Sequence, residues 1–524
     1  MEKLKYPIGD SSFSYIRRNG FFYVDKSAYV YRMATEGKYY FLSRPRRFGK
    51  SLLLSTIEAY FRGERQLFEG LAIEALESDW KKYPVLHLDL SLGNMSKPES
   101  LNQYLAHRLA QWEDEYGIGR KESSYAIRFS NIIRKAYDST GMGVVVLIDE
   151  YDNPLFSTYE EAEANDEMRA ILKGMYSVLK SEAAYLRFCF LTGVTRFSRM
   201  SIFSGLNNLY DITFVPSYSG ICGITQQELE LYCRDGIATV AQRRNISENE
   251  AKELLKEYYD GYHFGDLSVD LYNPFSLLQV FPEGVLKSYW FESGTSQFLW
   301  ERVSRLGDTS SITEILHPVV MASDLGAVEG EELSLEVLLF QTGYLTIKRQ
   351  LLDDTAYELG VPNKEVHDGI MNGLLRAVTS KRQQQLNVDI LRMRTYAENG
   401  DVDHLCEYLR SFMAGISNRL TMKLPEIYFE NNLYVIFSLI GLNTRVEVDT
   451  ADGRIDILME SKKYIYVIEL KLDRQSSDAL AQIKRKNYCR PFDRDPREVI
   501  LVGVNFSSST RNISSWEWER LDRQ

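Results

Sequence analysis

The sequence predicts an α/β protein in which a parallel sheet covered by helices is followed by a helical region and a small second α/β domain. Short β-rich apolar runs recur in the first half, segments with helical periodicity lie between them, and the pattern changes after residue 424. Strands that alternate with helices predict a parallel sheet with helices on both faces. A chain of 524 residues exceeds what one hydrophobic core usually fills, so we expect several domains.

The apolar runs of the predicted sheet end in polar residues. They lie at residues 39–43, 85–90, 144–149 and 186–192, with 209–213 as a weaker fifth. Segments with helical periodicity separate them, for example at residues 52–60, 101–115 and 167–180. We therefore expect residues 1–225 to form the first domain.

The remainder of the chain changes pattern twice. Residues 226–420 favour helices, as at 226–235 and 248–259, and we expect them to form a lid and connector. The last segment, 421–524, predicts one helix, a hairpin of strands, a polar helix and a final strand at 498–504. That order is typical of a small α/β domain.

Composition and charge narrow the function classes. A formal net charge of -11 argues against a surface coated for phosphate binding, although it leaves room for a local basic groove. The five cysteines form no C-x-x-C pair and are too sparse for a disulfide framework, which favours reduced packing residues. The first residues do not resemble a signal peptide, and no apolar run reaches the roughly 18 residues of a membrane helix. We expect a cytoplasmic protein that does not bind membranes.

Residues 40–51 run from a strand through a tight loop into a helix. In that setting backbone N–H groups at the helix start would face phosphates, Lys50 would reach the terminal ones, and the Ser51 hydroxyl would ligate Mg²⁺. Gly49 lets the backbone approach closely. The departure from G-x-x-x-x-G-K-[ST] is Arg44, which stands at the first glycine. A lone Gly-Lys-Ser is often accidental, so a second motif has to support it.

The strand at residues 144–149 supplies that second motif, because it ends in two adjacent carboxylates, Asp149 and Glu150. Buried strands do not normally carry such a pair. At the carboxyl edge of the sheet Asp149 can hold Mg²⁺ through water, and Glu150 can polarise the attacking water. A solvated strand end is the alternative. The combination with a phosphate-binding turn on another strand favours an ATPase.

These motifs resemble the AAA-ATPase-like family, whose phosphate loop itself carries arginine at the first position. The resemblance covers roughly residues 5–225 and rests on the segments 24–26, 44–51, 147–154, 193–198 and 201–208. It implies ATP and Mg²⁺ as cofactors, and it places strand 186–192 between the strands of the phosphate loop and the acidic pair. Phe48 belongs to the nucleotide-binding loop on this resemblance. Arg46 and Arg47 have three open roles there: binding phosphate, binding a neighbouring subunit, or facing water.

The resemblance also implies groups beside the terminal phosphate. Thr192 or Thr195 would act as a sensor, and Arg196 or Arg199 would stabilise charge in the transition state. The alternative for each is a loop residue satisfied by neighbouring backbone groups.

A second constellation lies on the strands predicted at residues 453–459 and 464–471, which the polar turn 460–463 joins. Alternation puts Glu469 and Lys471 on one face, and hairpin pairing brings Asp456 opposite or one diagonal step away. Two acids on neighbouring strands suit Mg²⁺, which together with Lys471 can position a water and neutralise charge on a phosphodiester. A solvated hairpin face is the alternative. The apolar neighbours of both acids favour the site, because charges are costly in such strands.

The segment 426–516 resembles the PD-(D/E)XK nuclease superfamily, in the branch commonly fused to AAA-ATPase-like domains. The motifs are residues 453–456, 469–471, 482–488 and 502–506. The resemblance implies that Asp456 and Glu469 ligate the metal, that Lys471 is the catalytic lysine, and that Gln482 and Tyr488 line the site, where we expect both to contact nucleic acid.

The first and last helices of this domain add candidates. Glu426 is our choice for an auxiliary catalytic acid, with Glu430, one turn later, as its rival. A basic run beside Tyr488 suits contact with a nucleic-acid backbone. Its members are Lys484, Arg485, Lys486 and Arg490. A solvated helix face is the alternative.

The expected function is an ATP-dependent or ATP-gated, Mg²⁺-dependent nuclease, with DNA favoured over RNA. By analogy, such fused modules suggest action against foreign or mobile DNA. The competing hypothesis is an ATP-driven switch or scaffold whose last domain binds nucleic acid or protein without cutting. A homo-oligomer stays open, because the arginine at a P-loop site can come from a neighbouring subunit or from the same chain.

Overall fold

The fold is given by a computed structural model. The structure describes residues 4–93, 95–119, 122–159, 161–196, 208–265, 268–292, 312–325, 334–351, 355–379, 383–416 and 426–521. The chain divides into two compact units. Unit 1 consists of Met1–Trp290 and Pro318–Lys364, and unit 2 of Phe291–His317 and Glu365–Gln524. The domain boundaries expected at residues 225 and 420 stay a prediction.

The strands are numbered in chain order. They are β1 (Tyr39–Ser43), β2 (Val85–Asp89), β3 (Val144–Asp149), β4 (Leu186–Gly193), β5 (Tyr210–Asp211), β6 (Ile224–Thr225), β7 (Leu271–Tyr272), β8 (Val319–Met321), β9 (Thr346–Leu351), β10 (Ala356–Gly360), β11 (Asn443–Thr450), β12 (Gly453–Glu460), β13 (Tyr464–Leu472), β14 (Glu498–Ser507) and β15 (Asn512–Arg520).

The α-helices are numbered in the same way. They are α1 (Phe13–Arg18), α2 (Ser27–Glu36), α3 (Lys50–Phe61), α4 (Pro98–Glu115), α5 (Tyr125–Thr140), α6 (Asn153–Ser157), α7 (Ala162–Ser181), α8 (Gln226–Tyr232), α9 (Arg234–Arg244), α10 (Glu248–Tyr259), α11 (Pro274–Val280), α12 (Tyr289–Glu292), α13 (Ile312–Leu316), α14 (Ala322–Leu325), α15 (Leu335–Thr342), α16 (Lys364–Val378), α17 (Gln383–Glu398), α18 (Val402–Met413), α19 (Glu426–Leu439) and α20 (Ser476–Arg485).

The main sheet of unit 1 has the strand order β2-β3-β4-β1-β5, and all its neighbouring strands run parallel. Strands β1 and β3 are buried along their whole length, as expected for parallel strands covered on both faces. The predicted parallel sheet is confirmed, and β4 lies between β1 and β3. The phosphate loop after β1 and the acidic pair after β3 therefore lie at the same edge of the sheet, where such folds bind ligands.

The region after this sheet is mainly helical, as predicted. Its helices α8 to α11 share a hydrophobic core, and α10 begins at a capping box formed by Ser247 and Glu250. Two small antiparallel sheets, β6-β7 and β8-β10-β9, also lie here and were not predicted. Their strands are only two to six residues long, which is too short for a clear alternation of apolar and polar residues.

Unit 2 contains a mixed sheet with the order β11-β12-β13-β14-β15. Strands β13 and β14 run parallel and the other neighbours antiparallel. The predicted hairpin is confirmed as β12 and β13, but the expectation of three strands was incomplete. Strands β11 and β15 are edge strands with few buried residues, so their sequences lack the apolar runs that identified the central strands.

The five cysteines are all free and buried, as predicted for packing residues. Within the part of the chain that the structure describes, no helix combines the length and apolarity needed to cross a membrane.

Candidate active sites

The phosphate loop joins the end of β1 to the start of α3. Two of its residues have a left-handed backbone, Arg47 with φ 67° and Gly49 with φ 95°. Gly49 is the N-cap of α3 and provides no side-chain hydrogen bond there. The first N–H groups of an α-helix have no partner within the helix, so this turn aims backbone donors at the space above the loop.

The Lys50 side chain lies inside this turn and is buried. Its Nζ atom donates to the carbonyl oxygens of Arg44 at 3.1 Å and Pro45 at 3.2 Å. It also lies 3.3 Å from Oε1 of Glu150. The loop therefore holds the ammonium beside the acidic pair of β3.

Asp149 ends β3 and is buried. Burial raises the pKa of this carboxyl to about 6, although a hydrogen bond with the Ser51 side chain lowers it. A buried carboxylate that contacts a hydroxyl is an oxygen donor set that suits Mg²⁺. The residues predicted to hold the nucleotide's metal, Ser51 and Asp149, are thus brought together and fit that ion.

Hydrogen bonds connect the segment after β3 to residues that follow both neighbouring strands, β2 and β4. Glu150 has a left-handed backbone with φ 50°. The buried carboxylate of Asp152 accepts hydrogen bonds from the N–H groups of Val194 at 3.1 Å and Thr195 at 2.6 Å, beyond β4. Asn153 donates to the carbonyl oxygen of Leu90 at 2.9 Å, beyond β2. These contacts fix the position of Glu150.

Asp152 was not predicted as a site residue. Its sequence signal is a third acid, three residues after Asp149 and two after Glu150, in a segment that also contains apolar residues. The last residue of β4 has to be glycine, because a side chain at Gly193 would collide with the Asp152 carboxylate and the Tyr151 ring.

The two candidate sensor threonines and the candidate arginine Arg196 form hydrogen bonds or an ion pair with other residues of the protein. Thr192 donates to the carbonyl oxygen of Leu42 at 2.8 Å. Thr195 contacts Asp152 through its hydroxyl as well as its N–H group. Arg196 forms an ion pair of 2.7 Å with Asp211. These contacts match the alternative of loop residues with local partners, and their catalytic roles stay predictions. Arg199 lies outside the described residues.

The other loop residues differ in exposure. Arg46 and Arg47 are exposed, and the Arg47 guanidinium lies 4.9 Å from the centre of the Phe275 ring. Phe48 is buried, and its ring packs edge-on against Tyr262 at 4.7 Å. Phe48 therefore fixes the loop by packing, while the two arginines keep the roles left open above.

The second site lies beside the end of the β12–β13 pairing. The ladder includes Ile457 opposite Ile468, and Asp456 and Glu469 follow immediately on either strand. Oδ2 of Asp456 accepts a hydrogen bond from the N–H of Leu470 at 2.7 Å. The structure thus places both acids at the same end of the hairpin.

Glu469 is the centre of this second site and is only 1% exposed. Its Oε1 atom accepts a hydrogen bond of 2.8 Å from Lys471 and another from Gln482. Its Oε2 atom is buried and has no hydrogen-bond partner within the described residues. Because a buried carboxylate oxygen is costly when unpaired, this atom marks a place for a ligand.

The electrostatics of the second site favour a cation. The pKa of Glu469 is raised to about 7, first by burial and then by the charge of Asp456. Burial likewise raises the pKa of Asp456 to about 6, with Glu426 contributing in the same direction and Lys471 against it. A divalent cation would relieve this repulsion, so Asp456 and Glu469 fit Mg²⁺. The described residues contain no cluster of three or more metal-binding side chains, so water or substrate oxygens would complete the coordination.

Both candidates for an auxiliary acid lie on α19. Glu426 is exposed and Glu430 partly buried. The pKa of Glu430 is raised to about 8 by burial and then by the charges of Asp456, Glu447 and Glu426. Glu447 was not among the predicted site residues, and it lies on the unpredicted strand β11 with φ 50°. The choice between Glu426 and Glu430 stays a prediction.

The basic run is exposed, whereas Tyr488 beside it is buried. Lys484 and Lys486 are exposed, and Lys484 pairs with Glu519 at 2.6 Å. Tyr488 is only 2% exposed and packs in the hydrophobic core of the domain with Ile455. Its ring is therefore not available for stacking on a base, which corrects its assignment as a nucleic-acid contact.

The fold and both candidate sites define a class of protein that has an AAA-ATPase-like α/β domain and a nuclease-like domain. The family model described as predicted AAA-ATPase matches residues 7–203, and that of the PD-(D/E)XK nuclease superfamily matches residues 424–516. Both resemblances seen in the sequence are confirmed. The chain is 34% identical over 538 residues to the "Uncharacterized protein in vnfD 5'region" of Azotobacter chroococcum mcd 1, with 99% of this chain and 100% of that protein covered. The chain belongs to this family of AAA-ATPase-like proteins with a C-terminal PD-(D/E)XK domain.

Proposed function

We propose that the protein is an ATP-dependent or ATP-gated, Mg²⁺-dependent nuclease that hydrolyses phosphodiester bonds of nucleic acid. The observation that carries the nuclease proposal is Glu469, whose buried Oε2 atom lacks a partner in the described part of the chain while Oε1 is held by Lys471 and Gln482. Such an arrangement suits cation binding beside a positive group.

ATP hydrolysis would take place at the edge of the unit 1 sheet. Lys50 would bind the terminal phosphates, and Ser51 and Asp149 would hold Mg²⁺, which neutralises phosphate charge when bound. Glu150 would orient the attacking water and accept its proton. The Lys50–Glu150 distance of 3.3 Å supports this, because it brings both groups together at the same edge of the sheet.

Phosphodiester hydrolysis would take place at the end of the β12–β13 hairpin. Asp456 and Glu469 would hold the cation, whose positive charge polarises the phosphodiester. Water attacks phosphorus and loses a proton, the bond to the leaving oxygen breaks, and that oxygen takes up the proton. The Lys471 ammonium stabilises the charge that grows on the phosphate oxygens. Gln482 donates to Glu469 and so orients its carboxylate.

The substrate we favour is DNA over RNA, with the exposed Lys484 and Lys486 contacting the backbone. Protection against foreign or mobile DNA is the role we propose by analogy with fused modules of this kind. In a gated enzyme the nucleotide state would change the conformation of the helical region and thereby the activity of the carboxylates.

A cleavage assay tests this proposal. Purified protein is incubated with DNA and RNA in Mg²⁺, Mn²⁺ or EDTA, with and without ATP. Asp456→Ala should abolish cleavage and keep ATP hydrolysis, whereas Lys50→Ala should abolish ATP hydrolysis. Asp452→Ala is the matched control, because Asp452 is exposed in the turn before β12.

Each outcome decides one part of the proposal. Cleavage that survives Asp456→Ala would refute the nuclease site. Cleavage that is indifferent to ATP and to Lys50→Ala would refute gating. Nucleic-acid binding without any cleavage would favour the ATP-driven switch or scaffold.

A further inference from the structure

The phosphate loop carries Arg44 where G-x-x-x-x-G-K-[ST] has its first glycine. Glycine is needed where the backbone adopts a left-handed conformation. In this loop the residues with positive φ are Arg47 and Gly49, and Arg44 is not among them. The backbone at position 44 therefore accepts a side chain without strain.

The backbone of Arg44 connects Lys50 to the centre of the sheet. Its N–H group donates to the carbonyl oxygen of Gly193, at the end of β4, at 3.2 Å. Its own carbonyl oxygen accepts the hydrogen bond of 3.1 Å from Nζ of Lys50. Any displacement of Arg44 would consequently move an anchor of the Lys50 ammonium.

The side chain of Arg44 is 1% exposed. Its Nη1 atom donates to the carbonyl oxygens of Ser43 at 2.9 Å and of Thr213 at 2.8 Å. Its guanidinium lies 4.4 Å from the centre of the Phe264 ring, a distance typical of a cation–π contact. The Nε and Nη2 atoms are buried without a hydrogen-bond partner among the described residues. Because burying a guanidinium with unpaired N–H groups is costly, its position needs a structural or functional reason.

Phe264 and the nearby Tyr262, which both follow α10, also contact the phosphate loop through Phe48. The ring of Phe48 packs edge-on against Tyr262 at 4.7 Å and Phe264 at 5.6 Å. Arg44 and Phe48, on either side of the tight turn, thus contact one short segment that follows α10. The turn between them carries Arg47, in its left-handed conformation, and leads into Lys50.

We propose that Arg44 is a positioning residue of the ATP site. Together with Thr213 and Phe264 it forms a clamp, which we call the Arg44 clamp, that holds the phosphate loop and keeps Lys50 directed at the phosphates. Arg44 acts through Lys50 and does not itself contact the nucleotide. This inference rests on the proposed ATP binding at Lys50.

The Arg44 clamp and the consensus motif predict opposite effects of Arg44→Gly on ATP binding. Arg44→Gly restores G-x-x-x-x-G-K-S, yet it removes two hydrogen bonds and a ring contact and leaves a cavity beside the loop. ATP affinity should therefore fall. Arg44→Lys should have a smaller effect, since an ammonium can reach a carbonyl but cannot lie flat on a ring. Phe264→Leu, which removes the ring and keeps an apolar side chain, should change affinity in the same direction.

Hydrogen exchange and ATP binding on the full chain test the clamp. In peptides that cover residues 43–52, Arg44→Gly should exchange at least about tenfold faster without nucleotide. The dissociation constant for ATP should rise at least about tenfold, a change of about 1.4 kcal/mol. Arg244→Ala is the matched control, since Arg244 is exposed in the last turn of α9, and it should change neither quantity. Circular dichroism identifies the variants that fold.

Three results would each contradict one part of the proposal. Unchanged exchange in Arg44→Gly would refute the clamp, and an ATP affinity within twofold of the wild type would refute its positioning role. A wild-type chain that binds no ATP would refute the proposed ATPase function, while hydrogen exchange would still decide whether the clamp exists. If Arg44→Gly does not fold, Arg44→Lys and Phe264→Leu provide the same two measurements.

Discussion

The phosphate site (Lys50, Ser51, Asp149 and Glu150) places two acids at the end of one strand, whereas the carboxylate site (Asp456, Glu469, Lys471 and Gln482) places one acid on each of two neighbouring strands. They balance that negative charge differently. In the phosphate site the ammonium of Lys50 lies 3.3 Å from one acid, and Ser51 is hydrogen-bonded to the other. The carboxylate site has one ammonium, that of Lys471. Further acids on α19 and β11 add negative charge there and raise the pKa values of neighbouring carboxyl groups.

This difference indicates which ligand each site needs. A site in which acids and a lysine are paired can receive an anionic phosphate together with its cation. A site with excess negative charge and an unpaired buried oxygen, Oε2 of Glu469 within the described chain, needs a cation before an anionic substrate can approach. The following predictions test that contrast, beginning with the largest effect.

Replacing the ammonium of the phosphate site should separate the two sites most clearly. Lys50→Met should lower ATP hydrolysis about 100-fold or more, because it removes the charge that faces the phosphates. Mn²⁺ should still bind at the carboxylate site of this variant and raise the temperature of its thermal unfolding transition. Lys173→Met, at an exposed position of α7, is the control. Equal loss of both ligands would contradict the separation of the sites.

Asp152→Asn should slow ATP hydrolysis through the position of Glu150. The buried carboxylate accepts several N–H and O–H groups, and an amide cannot accept from all of them, so kcat should fall about tenfold or more. The dissociation constant for ATP should change much less. Asp166→Asn, exposed on α7, should leave kcat unchanged. A loss of affinity without a change in kcat would contradict this role.

Glu469→Gln should stabilise the protein when no cation is present. The pKa of Glu469 is raised in the folded state from 4.5 to about 7. Protonated Glu469 therefore makes its full favourable contribution to the free energy of unfolding below pH 4.5. This contribution is lost as the pH rises through 7. At pH 8 in EDTA the variant should be more stable by about 1–3 kcal/mol, measured by denaturant unfolding. The gain should vanish below pH 4.5, and a gain that does not depend on pH would contradict this explanation.

Cation binding at the carboxylate site should strengthen with pH. Protons compete for Asp456 and Glu469, whose pKa values are raised to about 6 and about 7, so Mn²⁺ affinity should rise about tenfold or more between pH 6 and pH 8. Calorimetry on Lys50→Met would isolate this site. A flat profile would indicate that the cation does not displace those protons.

The smallest effect is expected at the basic surface of α20. Lys484→Gln combined with Lys486→Gln should weaken DNA binding a few-fold and reduce its salt dependence by about two charges. Lys462→Gln, exposed in the hairpin turn, is the control. An unchanged salt dependence would support the solvated-face interpretation of this helix.

The sequence by itself determined the central elements of both sites. The apolar runs of β1 and β3 are buried along their whole length, and the polar residues that follow such runs must lie at an edge of the sheet. The β12–β13 hairpin could be predicted for a related reason, because period-two alternation fixes which side chains share a face. Lys50, Asp149, Asp456 and Glu469 were therefore visible as candidates from local pattern alone.

Only the tertiary structure decided which polar groups are buried and what they contact. Arg44 reaches Thr213 across 169 positions of the sequence, and Asp152 reaches Thr195 across 43. No local periodicity reports such partners. Tyr488 was expected to line the nuclease site and contact nucleic acid, but it is packed in a core. Edge strands β11 and β15 escaped prediction because they acquire their structure from neighbouring strands rather than from apolar runs of their own.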